Sequence, residues 1–266
     1  MPHSHLPGYT RVQLIATLWT MLSTAVAADQ SVPYLPIKGG KFSSVLSGVG
    51  LQNQVTVKDF QLRRDPVTNQ EFLAFLKRYP EWQKDRVPVL FADKSYLHQW
   101  SASDNYGNLP AQAAVTSVSW FAANAYCASE NARLPAWYEW ELAAAADETQ
   151  PDARQNSEWR ARILSWYAEP AASHPQKLSQ SANYYGVTNM HGSIWEWVGD
   201  FNALLISPDS RTQGDPDKIQ FCGAGAISLQ NKENYAILMR VALLSSLSAA
   251  STTDSLGFRC ARDSGQ

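Results

Sequence analysis

The sequence contains few of the residues from which most cofactor sites are built. Its 266 residues include three cysteines and five histidines. A four-cysteine zinc site is therefore excluded, and at most one disulfide can form within the chain, which leaves one thiol over. His98, His174 and His191, the histidines beyond the first 27 residues, do not lie at the spacing of metal ligands. A phosphate loop is also lacking, because the segment 223–225 has two glycines but no lysine and no strand-to-helix context.

Charge is sparse as well. Charged residues make up 17% of the chain and the formal net charge is −2, compared with about 25% charged residues in an average domain. No basic excess attracts nucleic acid, so a nucleic-acid partner is not expected. The chain is instead 45% apolar, with 10 tryptophans, 14 glycines and 14 prolines. This composition predicts a turn-rich domain packed with aromatic side chains, not a helical bundle.

The one long apolar run lies at the start of the chain. Arg11 precedes an apolar run over residues 12–22, and Ala25-Val26-Ala27 fits a small-x-small cleavage site. The run is shorter than the roughly 20 residues of a membrane span. It predicts a secretory signal over residues 1–27 and one domain over residues 28–266, with no transmembrane segment after cleavage. A buried N-terminal helix and an uncleaved anchor are the alternatives.

Local signals predict three helices and few strands. Thr68 and Glu71 have the spacing of a capping box and Pro80 follows, so a helix is expected between Thr68 and Pro80. Apolar periodicity predicts a further helix over residues 119–131, and residues of high helix propensity predict another over 137–146. Strands are expected at 34–37 and within 54–62, whereas 84–114 and 150–262 are interpreted as loop and turn. The expected architecture is one α+β domain.

Four sequence blocks together resemble the sulfatase-modifying-factor family, whose best-known member is formylglycine-generating enzyme. The blocks are DPVTNQEF at 65–72, a longer block at 115–141 that contains RLPAWYEWE, NMHGSIWEW at 189–197 and LGFRC at 256–260. Each block alone is a weak motif, but their order and spacing match over roughly residues 33–262. The resemblance implies a loop-rich α+β fold of the variant C-type-lectin-like kind.

The third block has the composition of a calcium site. The resemblance assigns one structural Ca²⁺ to the side chains of Asn189 and Glu196 and the backbone carbonyls of Gly192 and Ile194, a set of oxygen ligands that suits this ion. The alternative is a turn in which Glu196 only accepts hydrogen bonds from backbone amides. His191 lies within the block and is expected to point outward.

The resemblance also assigns two cysteines to a disulfide. Cys127 and Cys260 occupy the places where relatives join a helix to the C-terminal strand; two reduced, buried thiols are the alternative. Arg259, next to Cys260, is expected to pair with a buried carboxylate such as Glu139 or Glu141.

One departure from the family concerns its best-known reaction. Formylglycine-generating enzymes hold copper with two thiolates, in the stretch that leads to the Gly-Phe-Arg-Cys block. Here no cysteine lies between Cys222 and Cys260. Since Cu(I) is selected by thiolate ligands, copper is not expected. Cys222 is interpreted as a free buried thiol, with a reactive thiol in the family's groove as the alternative.

The resemblance predicts a periplasmic accessory or maturation factor for a secreted protein or a peptide. Branches of the family that lack the copper pair are associated with nitrite reductases of denitrification or with siderophore maturation, and residues 86–100 resemble the first of these. The alternative is an oxidoreductase that converts a substrate cysteine to formylglycine or oxidises a peptide-derived substrate. Whether the chain is an enzyme stays open; the catalytic candidates are Cys222, Ser228 and Arg240.

Overall fold

A computed structural model describes Met1 and residues 34–46, 54–168, 181–204 and 235–265. The chain divides into two units, Met1–Ser31 and Val32–Gln266, and only the second is described below. The predicted signal over residues 1–27 therefore lies outside the described residues apart from Met1, and so do Cys222 and Ser228. Within the described part of the chain, no helix is both long and apolar enough to cross a membrane.

Short strands form three small sheets in the described residues. β1 (Tyr34–Ile37) and β7 (Ala261–Asp263) flank β4 (Phe60–Arg63), and both pair with it in antiparallel fashion. β2 (Gly40–Ser43) and β3 (Gln54–Val57) form an antiparallel pair. β5 (Trp195–Glu196) and β6 (Leu256–Gly257) form a parallel pair, which places the third and fourth sequence blocks side by side.

Five α-helices lie in the described residues. α1 (Asn69–Arg78) begins at the predicted capping box, in which Thr68 and Glu71 bond each other's backbone. α2 (Trp120–Ser129) and α3 (Trp137–Ala144) confirm the other two predicted helices. α4 (Ser157–Ala168) and α5 (Tyr235–Ser245) lie in the region that was expected to be loop, so that expectation was wrong for these two segments. The loop predicted over 84–114 is confirmed.

Tryptophan and phenylalanine fill the core. Trp137, Trp140 and Trp197 are fully buried, and the ring of Phe72 lies 5.9 Å from that of Tyr126 and 6.0 Å from that of Phe258. Large aromatic side chains bury much apolar area per residue. These side chains give a chain with short strands and much loop its core. The predicted loop-rich α+β fold is confirmed.

The predicted disulfide is present. Cys127 on α2 is bonded to Cys260, immediately before β7, and their Cα atoms are 5.5 Å apart. Both residues are fully buried. The bond ties α2 to the sheet that β7 forms with β4, so the alternative of two reduced thiols is excluded.

Candidate functional site

Residues 188–194 form a tight loop that leads into β5. Asn189 and Gly192 both adopt the left-handed backbone conformation, with φ of 56° and 80°. A side chain at Gly192 would place its Cβ 2.7 Å from the indole of Trp166, so both the backbone and the space there require glycine. Beyond the loop, Trp195 donates its backbone N–H to Ser255 at 2.7 Å, which fixes the loop against β6.

The carboxylate of Glu196 is buried and paired with Arg259. The Arg259 Nη2 lies 2.7 Å from Glu196 Oε1, and the exposed fractions of the two side chains are 0% and 1%. Trp140 Nε1 donates to Glu196 Oε2 at 2.9 Å. Charge-assisted hydrogen bonds of this kind are stronger than neutral ones. The expectation that Arg259 pairs with a buried carboxylate is confirmed, but that carboxylate is Glu196 and not Glu139 or Glu141.

Arg259 also gathers backbone carbonyls from two other segments. Its Nη2 donates to Thr188 at 2.9 Å and to Asn189 at 3.2 Å, and its Nη1 donates to Arg64 at 2.9 Å. One guanidinium therefore joins the start of the loop, the end of the loop and the segment that follows β4. Arg259, in the fourth block, thereby holds the third block beside the segment that leads into the first.

Arg240, a predicted catalytic candidate, lies in the same cluster. It is 1% exposed, its guanidinium lies 3.6 Å from the ring centroid of Trp140, and its Nη2 donates to the backbone carbonyl of Glu196. A cation stacked on tryptophan in a dry environment is held firmly. Arg240 therefore braces α5 against the Glu196 loop, and its burial favours a structural role. The other two candidates, Cys222 and Ser228, lie outside the described residues.

The four predicted calcium ligands fit the ion in chemistry, because all would offer oxygen. The backbone carbonyl of Asn189 and the carboxylate of Glu196 contact the same guanidinium nitrogen of Arg259, so the two ends of the loop lie close together. A carboxylate has about four acceptor positions. Calcium would have to share Glu196 with Arg259. The described residues contain no group of three or more His, Cys, Asp or Glu side chains placed to hold a metal ion.

His191 points inward, contrary to expectation. It is 9% exposed, its Nε2 lies 2.8 Å from the carbonyl oxygen of Ala144, and its ring packs edge-to-face against Trp140 and Trp159. Burial lowers its pKa to about 4, so the imidazole is neutral near pH 7. The outward orientation was inferred from the loop alone, whereas α3 and α4 cover this residue.

A second buried carboxylate, Glu141, was not predicted as a site residue. It accepts hydrogen bonds from the hydroxyl of Ser44 at 2.5 Å, the backbone N–H of Val45 at 2.8 Å and Trp137 Nε1 at 3.0 Å. Burial raises its pKa to about 7. Ser44 and Glu141 are 97 positions apart, so no local pattern signals their contact. A cavity of about 20 Å³ beside Glu141 and His191 has room for about one water molecule.

These buried groups predict a pH-dependent stability. The folded protein keeps the Glu141 proton up to about pH 7, whereas the unfolded chain releases it near 4.5. Stability therefore falls as pH rises through that window, by roughly 3 kcal/mol for this group. His191 acts in the opposite direction between about pH 4 and 6.5, because the unfolded chain binds its proton more readily.

The substitution Glu141→Gln separates the contribution of Glu141 to this pH dependence from that of His191. The stability of Glu141→Gln relative to the unsubstituted protein is expected to increase by about 2–3 kcal/mol between pH 4.5 and pH 7.5, measured by urea unfolding at each pH. The exposed substitution Glu158→Gln serves as the control. A difference between the two proteins that stays constant with pH would contradict the prediction.

Comparison with known proteins gives one family over nearly the whole chain. A family model described as "Sulfatase-modifying factor enzyme 1-like domain" matches residues 24–264. The "Inactive C-alpha-formylglycine-generating enzyme 2" of Bos taurus is 25% identical over 311 residues, which cover 98% of this chain and 96% of that protein.

Other relatives match less of their own length. The "Serine/threonine-protein kinase Pkn1" of Chlamydia trachomatis is 26% identical over 85% of this chain but only 38% of that protein. The "Formylglycine-generating enzyme" of Streptomyces coelicolor is 31% identical over 56% of this chain and 52% of that protein. Among solved structures, PvdO from Pseudomonas aeruginosa matches 86% of this chain and 93% of that chain, with a TM-score of 0.47 and 17% identity.

Proposed function

The chain belongs to the sulfatase-modifying factor enzyme 1-like family, and on that premise we propose that it is an accessory or maturation factor for a secreted protein or peptide and that it acts without copper oxidase chemistry. One observation carries the proposal. Cys127 and Cys260 are bonded to each other in a chain with three cysteines, so Cys222 is the one remaining thiol. The family's copper site needs two thiolates, and Cu(I) selects such soft ligands.

The position of Arg240 supports the same proposal. It lies on α5, within the stretch between Cys222 and Cys260 where the copper-binding relatives carry their thiolates. Its guanidinium contacts Trp140 and the Glu196 backbone, in the core and away from solvent. A buried cation committed to internal contacts holds the fold together and does not reach a substrate. Binding of a client therefore suits this chain better than catalysis by Arg240.

The proposed location is the periplasm, and the proposed partner is a peptide or a protein client. The predicted signal over residues 1–27 supports export. A disulfide that bridges 133 positions also suits an oxidising compartment, because such bonds persist there and are rare in a reducing cytosol. The client is proposed to be a secreted redox enzyme or a siderophore precursor, in line with the branches that resemble this chain.

The second candidate function is formylglycine synthesis, favoured by the 31% identity to the Streptomyces coelicolor enzyme. A Cu(I) titration in competition with a chelator separates the two candidates. We expect no stoichiometric tight binding by the unsubstituted protein and no conversion of a cysteine-containing sulfatase peptide. One equivalent of tightly bound Cu(I) that is lost in Cys222→Ser would overturn the accessory role.

A complementation experiment tests the accessory role directly. Deletion of the gene from host cells causes a phenotype that the experiment scores. The gene for Cys222→Ser is expected to reverse this deletion phenotype as fully as the unsubstituted gene does, because a binding role needs no thiol. Arg240→Ala is unsuitable here, since it removes a buried contact and compromises the fold. Loss of complementation by a well-folded Cys222→Ser protein would argue for thiol chemistry.

One structural Ca²⁺ is also proposed, held by Asn189, Glu196 and the carbonyls of Gly192 and Ile194. Excess EDTA is expected to lower the melting temperature by about 5–10 °C, since an ion at a hundred times its Kd contributes about 2.7 kcal/mol. Asn189→Gly keeps the left-handed backbone and removes the oxygen ligand, so this variant should not respond to EDTA.

Asn131→Gly is the matched control for the calcium experiment. Asn131 has a φ of 53°, close to that of Asn189, and it lies outside the predicted calcium loop. It is expected to keep the full response to EDTA. A melting temperature of the unsubstituted protein that is the same with EDTA and with added Ca²⁺ would contradict the calcium site.

A further inference from the structure

α4 packs on a small core of its own. Its side chains Trp159 and Ile163 are buried together with Ala153 and Ala236, in a cluster that is separate from the main core of the described residues. A segment with few buried apolar contacts opens at a lower free-energy cost than one that belongs to a large core. The contacts that α4 makes outside this cluster therefore matter for keeping it in place.

Two tryptophans on one face of α4 rest on the loop of residues 188–194. Trp159 and Trp166 are seven positions apart, which places them on the same side of a helix. The ring of Trp159 packs edge-to-face against His191, with the ring centroids 5.7 Å apart. The indole of Trp166 covers Gly192 so closely that a Cβ at this position would lie 2.7 Å from it. The loop therefore supports α4 at two points.

The same loop is fixed firmly at its ends. Arg259 binds the backbone carbonyl of Asn189 and the carboxylate of Glu196. Between these ends, the backbone carbonyls of Gly192 and Ile194 accept no hydrogen bond from any residue that the structure describes. Backbone carbonyls are ordinary ligands of Ca²⁺. A cation bound there would fix the middle of the loop, where Trp166 rests.

We propose, on the basis of the calcium site proposed above, that Ca²⁺ bound in this loop controls the docking of α4. The ion would hold the backbone of Gly192, which the indole of Trp166 covers, and would fix the neighbouring His191, against which Trp159 packs. Without the ion, the loop moves more freely and α4 loses support at both tryptophans. α4 has 12 residues, and isolated helices of that length are marginal in water. Its backbone amides should therefore exchange with solvent once it leaves the loop.

Such a coupling acts in both directions. If bound Ca²⁺ favours docked α4, then docked α4 raises the affinity for Ca²⁺ by the same factor. Trp166 offers a clean probe of this reciprocity, because an indole has one N–H donor and no oxygen with which to bind a cation. A loss of calcium affinity on removal of this side chain would have to come from the contact between α4 and the loop.

A calorimetric titration with Ca²⁺ is the first test. Trp166→Ala should bind Ca²⁺ at least fivefold more weakly than the unsubstituted protein, which is the lower end of typical coupling factors. Trp82→Ala is the matched control, since it also removes a half-buried indole, one that packs against Phe91. It should bind Ca²⁺ with unchanged affinity. Equal losses of affinity in the two variants would overturn the proposal, because the effect would then be a general one.

Amide hydrogen exchange followed by mass spectrometry is the second test. In the unsubstituted protein, α4 should exchange at least tenfold faster in EDTA than in saturating Ca²⁺, whereas α1, which is packed in the main core by Phe72 and Leu76, should stay protected in both. In Trp166→Ala, α4 should exchange rapidly under both conditions.

The two tests separate the coupling from the calcium site itself. If the unsubstituted protein binds Ca²⁺ but α4 exchanges at the same rate with and without it, the coupling is wrong and the calcium site stands. If α1 responds to the ion as strongly as α4 does, the coupling is wrong as well, because the ion then acts on the whole fold. If the unsubstituted protein does not bind Ca²⁺, both the site and the coupling are wrong.

Discussion

Replacement of Glu196 by alanine is expected to lower the free energy of unfolding by about 3–5 kcal/mol, the range found when one partner of a buried ion pair is removed. Arg259 would remain in the core with an exposed fraction of 0% and no carboxylate opposite it. Trp140 would also lose the acceptor of its indole N–H, and an unsatisfied buried donor adds its own penalty. Urea unfolding followed by tryptophan fluorescence measures the change.

The exposed ion pair between Glu148 and Arg162 provides the matched control. Its side chains are 47% and 44% exposed at an Oε2–Nη2 distance of 2.9 Å, so Glu148→Ala should cost less than about 1 kcal/mol. Measurements in EDTA remove any contribution of the proposed calcium ion. The prediction is contradicted if Glu196→Ala and Glu148→Ala destabilise the protein equally.

The Glu196–Arg259 pair also shows what the sequence did and did not reveal. The spacing of the blocks located both residues, and a buried carboxylate was correctly predicted as the partner of Arg259, but the examples named were Glu139 and Glu141. Glu139 pairs with Arg133 and Glu141 with Ser44 and Trp137. Which carboxylate faces which guanidinium depends on the pairing of β5 with β6, and two-residue strands carry almost no periodic signal.

The helices show the same division between local and tertiary signals. α1 was predictable because its capping box and the proline after it are encoded within a dozen residues. α5 was missed because apolar residues occupy most of its faces, as in Ala236, Ile237, Val241 and Leu244, so no polar face marks a period of 3.6. Its one strongly polar residue, Arg240, is turned inward by Trp140 and the Glu196 backbone, which only the folded chain supplies.

Removal of the disulfide is the second change with a large expected effect. The Cys127→Ala/Cys260→Ala variant should lose about 4–5 kcal/mol, because a crosslink over 133 positions strongly restricts the unfolded chain in the loop-entropy model. The folded geometry should survive, since Arg63 still donates its backbone N–H to residue 260 and Arg133 still bonds Ala261. The effect should therefore appear as a lower urea midpoint and not as a different fold.

Reduction of the unsubstituted protein tests the same bond by another route. Both sulfurs are buried, so dithiothreitol should act slowly on the folded protein and rapidly in urea, because thiolate attack requires access to a sulfur atom. The reduced protein should then unfold at the midpoint of the double variant. Cys222→Ala is the control that changes a cysteine and leaves the bond intact, and its midpoint should lie much closer to that of the unsubstituted protein than to that of the double variant. A double variant as stable as the oxidised protein would mean that the unfolded chain gains no freedom when the bond is lost, and the loop-entropy account would then be wrong for this fold.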